Sequence, residues 1–420
     1  MFKIGIDVGG TFTDFLVTSP SGAARAYKSP SVPQDPAEGV FAGLAKIATD
    51  RGESLSDFLR QVEVIVHGTT ITTNAALTGK GAKTGLLTTR GFRDLLNMRR
   101  GLKELPYVRY DPPAPLVPRY LIEPITERSS VEAEIVTPLA EDEVRSAARR
   151  LRELGVEAIA VCYLWSFFNP VNERRTAEII REEIPGIYLS LSSEILPQIR
   201  VYERISTTTL NSYVGPLLSR YLGRLARRLE EEGFGGILLI MQSNGGVMSL
   251  EVSARFAVNT LLSGPAGAPT AGRFYSAVHG IDDFITVDMG GTSFDACLVR
   301  NREPAVTTEG AIGGYRVALP ILDIHTVGAG GGSIAYVDDG GLLHVGPESA
   351  GAHPGPACYA RGGTHPTVTD ADLVLGYLDP DFFFGGEIKL DRAAAEAAIR
   401  KHVAAPLKLD LMTAAYGIYR

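Results

Sequence analysis

Asp7-Val8-Gly9-Gly10-Thr11-Phe12-Thr13-Asp14 recurs further along the chain as Asp288-Met289-Gly290-Gly291-Thr292-Ser293-Phe294-Asp295. Asp, Gly, Gly, Thr and Asp coincide at five of the eight positions. Each copy sits between short apolar runs: Ile4–Ile6 and Phe15–Val17 around the first, Phe284–Val287 and Ala296–Val299 around the second. Apolar run, glycine turn, apolar run reads as a β-hairpin. Two glycines let the backbone approach an anion closely, because no Cβ intervenes. Successive N–H groups in such a turn form an anion-binding concavity. The threonine hydroxyl adds a donor. The first aspartate, at a strand end, can hold Mg²⁺ through water or orient an attacking nucleophile. One copy alone reads as an ordinary hairpin. Two copies in one frame predict a pair of turns that grip a polyphosphate.

Composition sets the frame for these turns. The chain has 420 residues, enough for two or three domains. A hydrophobic fraction of 45% supports sizeable cores, and 21% charged residues is not a disordered composition. The net charge of −7 argues against a general nucleic-acid binder. A nucleotide site stays open, because backbone N–H groups and a metal can hold phosphates. No uncharged apolar run reaches 18 residues, so no membrane span is expected. The start, Met1-Phe2-Lys3-Ile4-Gly5-Ile6-Asp7, reads as a strand and not as a signal peptide. Cys162, Cys297 and Cys358 are odd in number, far apart and form no CxxC pair. The expected location is cytoplasmic, with reduced thiols.

Outward from the turns, strands and helices alternate, which predicts a parallel or mixed sheet covered by helices. The periodicity predicts helices over 36–49, 141–154, 172–183 and near 266–278, and strands over 62–66, 83–88, 158–164, 188–191 and 237–241. Residues 203–232 read as a long helix interrupted at Gly215-Pro216. Residues 101–137, rich in proline and charge, read as an extended excursion over the surface. Residues 391–420 read as helical and reach the last residue without a stop signal.

Further motifs follow the same order: VHGTTITTNAAL at 66–77, GLLTTRGFRDLL at 85–96, MQSNGG at 241–246 and LLSGPAGAPTAG at 261–272. DIHTVGAGGGSIA at 323–335, SAGAHPGPACYARGG at 349–363 and PTVTDADLVLGYL at 366–378 complete the set. Together with GIDVGGTFTD at 5–14 and TVDMGGTSFDACLV at 286–299, they resemble the hydantoinase A/5-oxoprolinase family. That family lies within the acetate kinase/sugar kinase/Hsp70/actin superfamily. The resemblance covers most of the chain. It implies an α/β fold: a duplicated ribonuclease H-like, two-lobed ATPase with the nucleotide cleft between lobes. The expected lobes are 1–195, with the first turn, and 196–420, with the second. Family members continue beyond this length with a further glycine-rich segment, so the resemblance implies a second lobe cut short at its C-terminus.

The resemblance implies ATP-dependent opening of a cyclic amide such as a hydantoin, N-methylhydantoin or 5-oxoproline. An unstrained lactam carbonyl is a poor electrophile, and phosphorylating its oxygen activates the carbon. The alternatives are an ATP-using ketone-carboxylase subunit and, in another class, an Hsp70- or actin-like ATPase. The implied cofactors are ATP and Mg²⁺, with Mn²⁺, Zn²⁺ and K⁺ as further candidate ions. The implied partners are a small cyclic amide and a hydantoinase B-type subunit in a homo- or hetero-oligomer, without nucleic acid or membrane.

Asp7 and Asp288 are the candidates for positioning water or Mg²⁺. Gly9, Gly10, Thr11, Thr13, Asp14, Gly290, Gly291, Thr292 and Ser293 are the candidate nucleotide contacts, joined by Gly328, Gly330 and Gly331 of a partial GxGxxG frame. His67, Thr69, Thr70 and Asn74 are candidate donors near phosphate or substrate; the alternative for Thr69 or Thr70 is a helix cap. Asp323 and His325 share one face of an extended segment and suit Zn²⁺ or Mn²⁺, with His353 or Cys358 as a further ligand. The alternative is a hydrogen-bonded strand histidine and a buried cysteine. Asp370 and Asp372 read as helix caps. Arg90, Arg93, Arg99 and Arg100 read as a basic cluster for a carboxylated substrate, a partner or solvent.

Overall fold

Ile4, Ile6 and Val8 alternate with Lys3, Gly5 and Asp7, and this period of two makes the first strand one-sided. In the computed structural model, residues 1–420 are described except 10–11, 33–34, 102–106, 108–112, 292, 352 and 387. The chain forms two compact units, Met1–Gly267 with Val306–Leu322, and Ala268–Ala305 with Asp323–Arg420. Each has its own apolar core, the first reaching from Phe2 to Val317, the second built from residues such as Leu373, Ile399 and Ile418. Residues 196–267 lie in the first compact unit.

In the first unit β1 (Phe2–Val8), β2 (Phe12–Thr18) and β3 (Ala24–Pro30) form an antiparallel meander. Helix α1 (Pro36–Asp50) follows, its N-terminus capped by the Asp35 carboxylate accepting from the Ala37 N–H. Strand β4 (Val62–Thr69) pairs parallel to β1 and leads into helix α2 (Ile71–Thr78). Strands β5 (Thr84–Thr89), β6 (Ile122–Ile125), β7 (Ala158–Cys162) and β8 (Tyr188–Leu191) make a second, wholly parallel sheet in the order β8-β7-β5-β6. Helices α3 (Glu141–Glu153) and α4 (Val171–Glu183) are its connections. Helix α5 (Val201–Glu231) then leads to β9 (Ile237–Met241) and β10 (Val247–Ser249), which extend the first sheet to the order β10-β9-β4-β1-β2-β3.

The structure corrects two expectations. Residues 101–137 are not wholly an excursion, because β6 lies inside them. Its Pro124 hid it, yet β6 is an edge strand, where a missing N–H costs no ladder bond. The long helix is not interrupted at Gly215-Pro216 and runs unbroken from 201 to 231. A Cβ at Gly215 would stand 2.1 Å from the Tyr188 ring, so the glycine is there for packing, not for a break. Gly215→Ala is therefore expected to destabilise the protein by about 1–3 kcal/mol through overpacking. Denaturant titration checks this, and an unchanged midpoint would rule it out.

In the second unit helix α6 (Gly267–His279) precedes the hairpin β11 (Phe284–Met289) and β12 (Phe294–Arg300). Strands β13 (Glu303–Pro304) and β14 (Ile324–Val327) both pair with β12. The remaining helices include α7 (Val368–Leu375), opened by a capping box between Thr367 and Asp370, as the cap reading of Asp370 expects. The equivalents of Ile4, Ile6 and Val8 are Ile285, Val287 and Met289. The first set is 1–4% exposed and the second 51–64%, so the repeat carries over the strand pairing but not the cover on that face.

Among the described residues no helix is long and apolar enough to cross a membrane.

Candidate functional site

The described residues of the two octets pair alike. In the first hairpin Asp7 stands opposite Asp14; in the second Asp288 stands opposite Asp295. The same bond closes both turns: the Gly9 N–H donates to the Phe12 carbonyl at 3.0 Å, and the Gly290 N–H to the Ser293 carbonyl at 3.0 Å. Gly10, Thr11 and Thr292 lie outside the described residues. Neither Gly9, Gly290 nor Gly291 has a positive φ. At Gly290 and Gly291 an added Cβ would meet no described atom within 4 Å. Neither a positive φ nor packing against a described atom demands glycine at Gly290 or Gly291.

Around the first turn the surroundings are fixed by hydroxyls. Thr13 is fully buried, and its Oγ1 lies 3.0 Å from the Ser31 Oγ, which donates to the Gly9 carbonyl at 2.9 Å. Thr13 thus holds the turn in shape from behind. Asp14 is ion-paired with Lys28 at 2.8 Å on the neighbouring strand. Asp7 is exposed, and a Cβ at Gly68 would stand 3.2 Å from its carboxylate, so Gly68 leaves room for it. Thr70 donates to the Val8 carbonyl at 3.1 Å and accepts from the Asn74 amide at 3.3 Å. It occupies the N-cap position of α2 without a side-chain capping bond, so it ties the helix to the end of β1 instead. Thr69 is buried and accepts from the Ile71 N–H.

His67 is elsewhere. It is fully buried in the middle of the six-stranded sheet and shares a 3.0 Å hydrogen bond with the Tyr221 hydroxyl of α5, while its Nδ1 has no partner among the described residues. Burial pushes its pKa down to about 4, so it is neutral near pH 7. In the unfolded chain it titrates near 6.5, so between about pH 6.5 and 4 the unfolded state binds the extra proton. Stability is then complete above that window and lost as pH falls through it. Between pH 7 and pH 4 the wild type is expected to lose about 3 kcal/mol relative to His67→Gln. Parallel curves of unfolding free energy against pH would refute this.

A groove of about 450 Å³ opens beside the first turn. Gly9, Thr70 and Asn74 line it together with three residues not singled out from sequence, Lys80, Arg220 and Arg224. Arg220 and Arg224 lie one turn apart on α5, a face that periodicity alone assigns to the helix but not to a groove.

Around the second turn the donors are differently used. Asp288 is exposed. Asp295 accepts from Ser293 at 3.1 Å and from Thr326 at 2.5 Å, with no cation among these contacts. The glycine-rich stretch lies against the turn: Gly331 N–H donates to the Gly290 carbonyl at 3.0 Å and Gly332 N–H to the Gly291 carbonyl at 2.7 Å. The Gly330 N–H donates to the Ser333 hydroxyl at 2.9 Å. The Gly330 and Gly331 donors are therefore engaged within the protein, and the stretch supports the turn. At Gly328 a Cβ would meet nothing within 4 Å.

Asp323 and His325 gain no companions: among the described residues no three His, Cys, Asp or Glu side chains are grouped to hold a metal. Cys358 is buried beside α7, its N–H donating to the Asp370 carboxylate at 2.7 Å. That arrangement does not fit a Zn²⁺ or Mn²⁺ centre. Each of the exposed carboxylates Asp7 and Asp288 offers hard oxygens of the kind that suit Mg²⁺ held through its own waters. Of the arginines, Arg90 pairs with Glu143 at 2.8 Å, Arg100 pairs with Glu203, and Arg93 donates to the Arg119 carbonyl.

Comparison with known proteins bears on the whole chain. Residues 204–420 match the family model described as Hydantoinase/oxoprolinase, and residues 3–184 that of the Hydantoinase/oxoprolinase N-terminal region. The caprolactamase subunit alpha of Pseudomonas jessenii is 43% identical over 99% of this chain and 60% of its own length. The acetophenone carboxylase gamma subunit of Aromatoleum aromaticum is 37% identical over 98% of this chain and 58% of its own length. The crystal structure of the ATP-dependent caprolactamase from Pseudomonas jessenii matches with a TM-score of 0.87 and 43% identity, over 99% of this chain and 61% of that one. The chain thus spans about 60% of the length of these relatives.

Proposed function

The chain belongs to the hydantoinase/oxoprolinase family, and from that premise we propose that it is the ATP-using part of an enzyme that opens a cyclic amide. The observation that carries this reading is the pair of aspartate–glycine turns with one register and one closing bond. With the Gly9 and Gly290 N–H groups closing the turns, the Gly291 N–H is the described backbone donor that would meet a phosphate oxygen, and Asp7 and Asp288 would position water or Mg²⁺. When bound with the nucleotide, Mg²⁺ would neutralise charge on the transferring phosphoryl group.

The amide carbonyl oxygen attacks the γ-phosphorus, and the bridging oxygen leaves with its electron pair as ADP. Loss of the amide N–H proton gives an imidate phosphate. Water adds to its carbon, the C–N bond breaks, and the nitrogen takes a proton and leaves as the ring-opened amine. Water attacks the carbon of the resulting acyl phosphate and releases phosphate. A B-type partner subunit is proposed for the hydrolytic half. The 37% identity to an acetophenone carboxylase subunit favours a second reading, phosphoryl transfer to a ketone enolate or bicarbonate by the same turns.

ATP turnover by the chain with its partner and Mg²⁺, measured across hydantoin, lactams, and ketone plus bicarbonate, tests the two readings. Stimulation by a cyclic amide is expected. Stimulation by ketone plus bicarbonate alone would replace the first reading with the second.

A further inference from the structure

The duplication makes the first hairpin a template for the second, and the copy lacks one neighbour. Strand β1 is flanked on both edges: β2 pairs with it antiparallel and β4 parallel. Strand β11 pairs antiparallel with β12, and among the described residues no strand takes its other edge. The two faces of β11 differ as well. Helix α6 lies against the face of Phe284 and Thr286, where a Cβ at Gly272 would stand 2.5 Å from the Phe284 ring. On the opposite face Ile285, Val287, Met289 and, on β12, Leu298 are 45–64% exposed. An open edge beside a bare apolar face is a template for further strand pairing. The edge strand, Phe284-Ile285-Thr286-Val287-Asp288-Met289, carries neither a proline nor a lysine to blunt it.

We propose that β11 accepts a parallel strand from a further polypeptide segment, and that this strand carries a glycine opposite Asp288. The proposal goes beyond the ring-opening reading and holds for any substrate of the turns. In the template Ile65 and His67 of β4 stand opposite Ile4 and Ile6, and Gly68 stands opposite Asp7. The matching positions of β11 are Ile285, Val287 and Asp288. The incoming strand therefore sets two side chains beside Ile285 and Val287 on the bare face, which favours apolar ones. Beside Asp288 it needs the smallest residue, because in the template a Cβ at Gly68 would stand 3.2 Å from the Asp7 carboxylate. A second copy of this chain does not meet these terms, since two-fold symmetry pairs β11 with its own copy antiparallel. The relatives carry about two-fifths of their length outside the stretch matched here, ample for a strand and a helix over it.

The probe is a fluorescein-labelled peptide, Val-Glu-Val-Ile-Val-Ile-Gly-Thr, which copies β4 with His67→Ile. Fluorescence anisotropy against the purified 420-residue chain is expected to show saturable binding. Val287→Lys and Ile285→Lys are each expected to weaken it at least about ten-fold. Both sites are exposed, so both variants should melt like the wild type. A peptide with valine in place of the glycine should also bind at least about ten-fold more weakly. With the peptide bound, hydrogen exchange should slow at 284–289 and stay unchanged at 2–8. No saturable binding, equal binding of the reversed sequence, or indifference to both lysine variants would overturn the proposal. So would self-association of the chain that the lysine variants abolish, which would give this edge to a second copy.

Discussion

Asp7→Asn and Asp288→Asn are each expected to lower ATP turnover about 10²- to 10³-fold, the usual size of losing one group aimed at developing charge. The fold should survive both. Each aspartate is exposed at the end of its strand. Asparagine keeps the shape and removes the charge that, on the proposed reading, orders water or Mg²⁺. Asp14 is tied to Lys28, and Asp295 to Ser293 and Thr326. Substituting either one perturbs the hairpin and not the charge presented at its mouth. Thermal melting establishes folding, and phosphate release measures turnover. A folded Asp288→Asn protein with near-normal turnover would remove that residue from the mechanism.

The second large effect separates two glycines that look alike in composition. Gly290→Ala is expected to melt like the wild type, because its Cβ meets no described atom within 4 Å. It should nevertheless bind ATP at least about ten-fold more weakly, because the methyl group occupies the space the phosphate approaches. Gly332→Ala should do the reverse in stability. Its Cβ would stand 2.7 Å from the Gly291 carbonyl and 2.8 Å from the Ser349 hydroxyl. The loop must withdraw and lose its 2.7 Å bond to the turn, at a cost of about 1–3 kcal/mol. Melting curves and ATP titration of the two variants read these effects separately. A Gly290→Ala protein with wild-type ATP affinity would contradict the assignment of the second turn to phosphate.

The hairpins were legible in the sequence because their information is local. A repeated octet with matching apolar flanks sets both the strands and the register, and Asp7 opposite Asp14 has its counterpart in Asp288 opposite Asp295. What the sequence could not show was where donors go once the chain is folded. The N–H groups of Gly330 and Gly331 are engaged by Ser333 and Gly290, and the latter lies far away in sequence. His67 was readable in principle. Counting by two from the buried Ile65 puts it on the inward face of β4. Gly215-Pro216 reads as a helix break by propensity, yet packing against Tyr188 keeps the helix whole. The groove was not legible at all, because Lys80 and the α5 arginines come together only through tertiary structure.

Oxygen-18 tracing follows the carbonyl oxygen through the proposed reaction. The enzyme is supplied with ATP and a cyclic amide labelled with ¹⁸O at the carbonyl, and the released phosphate is analysed by mass. One ¹⁸O atom is expected in the phosphate, carried from the carbonyl through the C–O–P bond. Ring opening that leaves the phosphate unlabelled would contradict it.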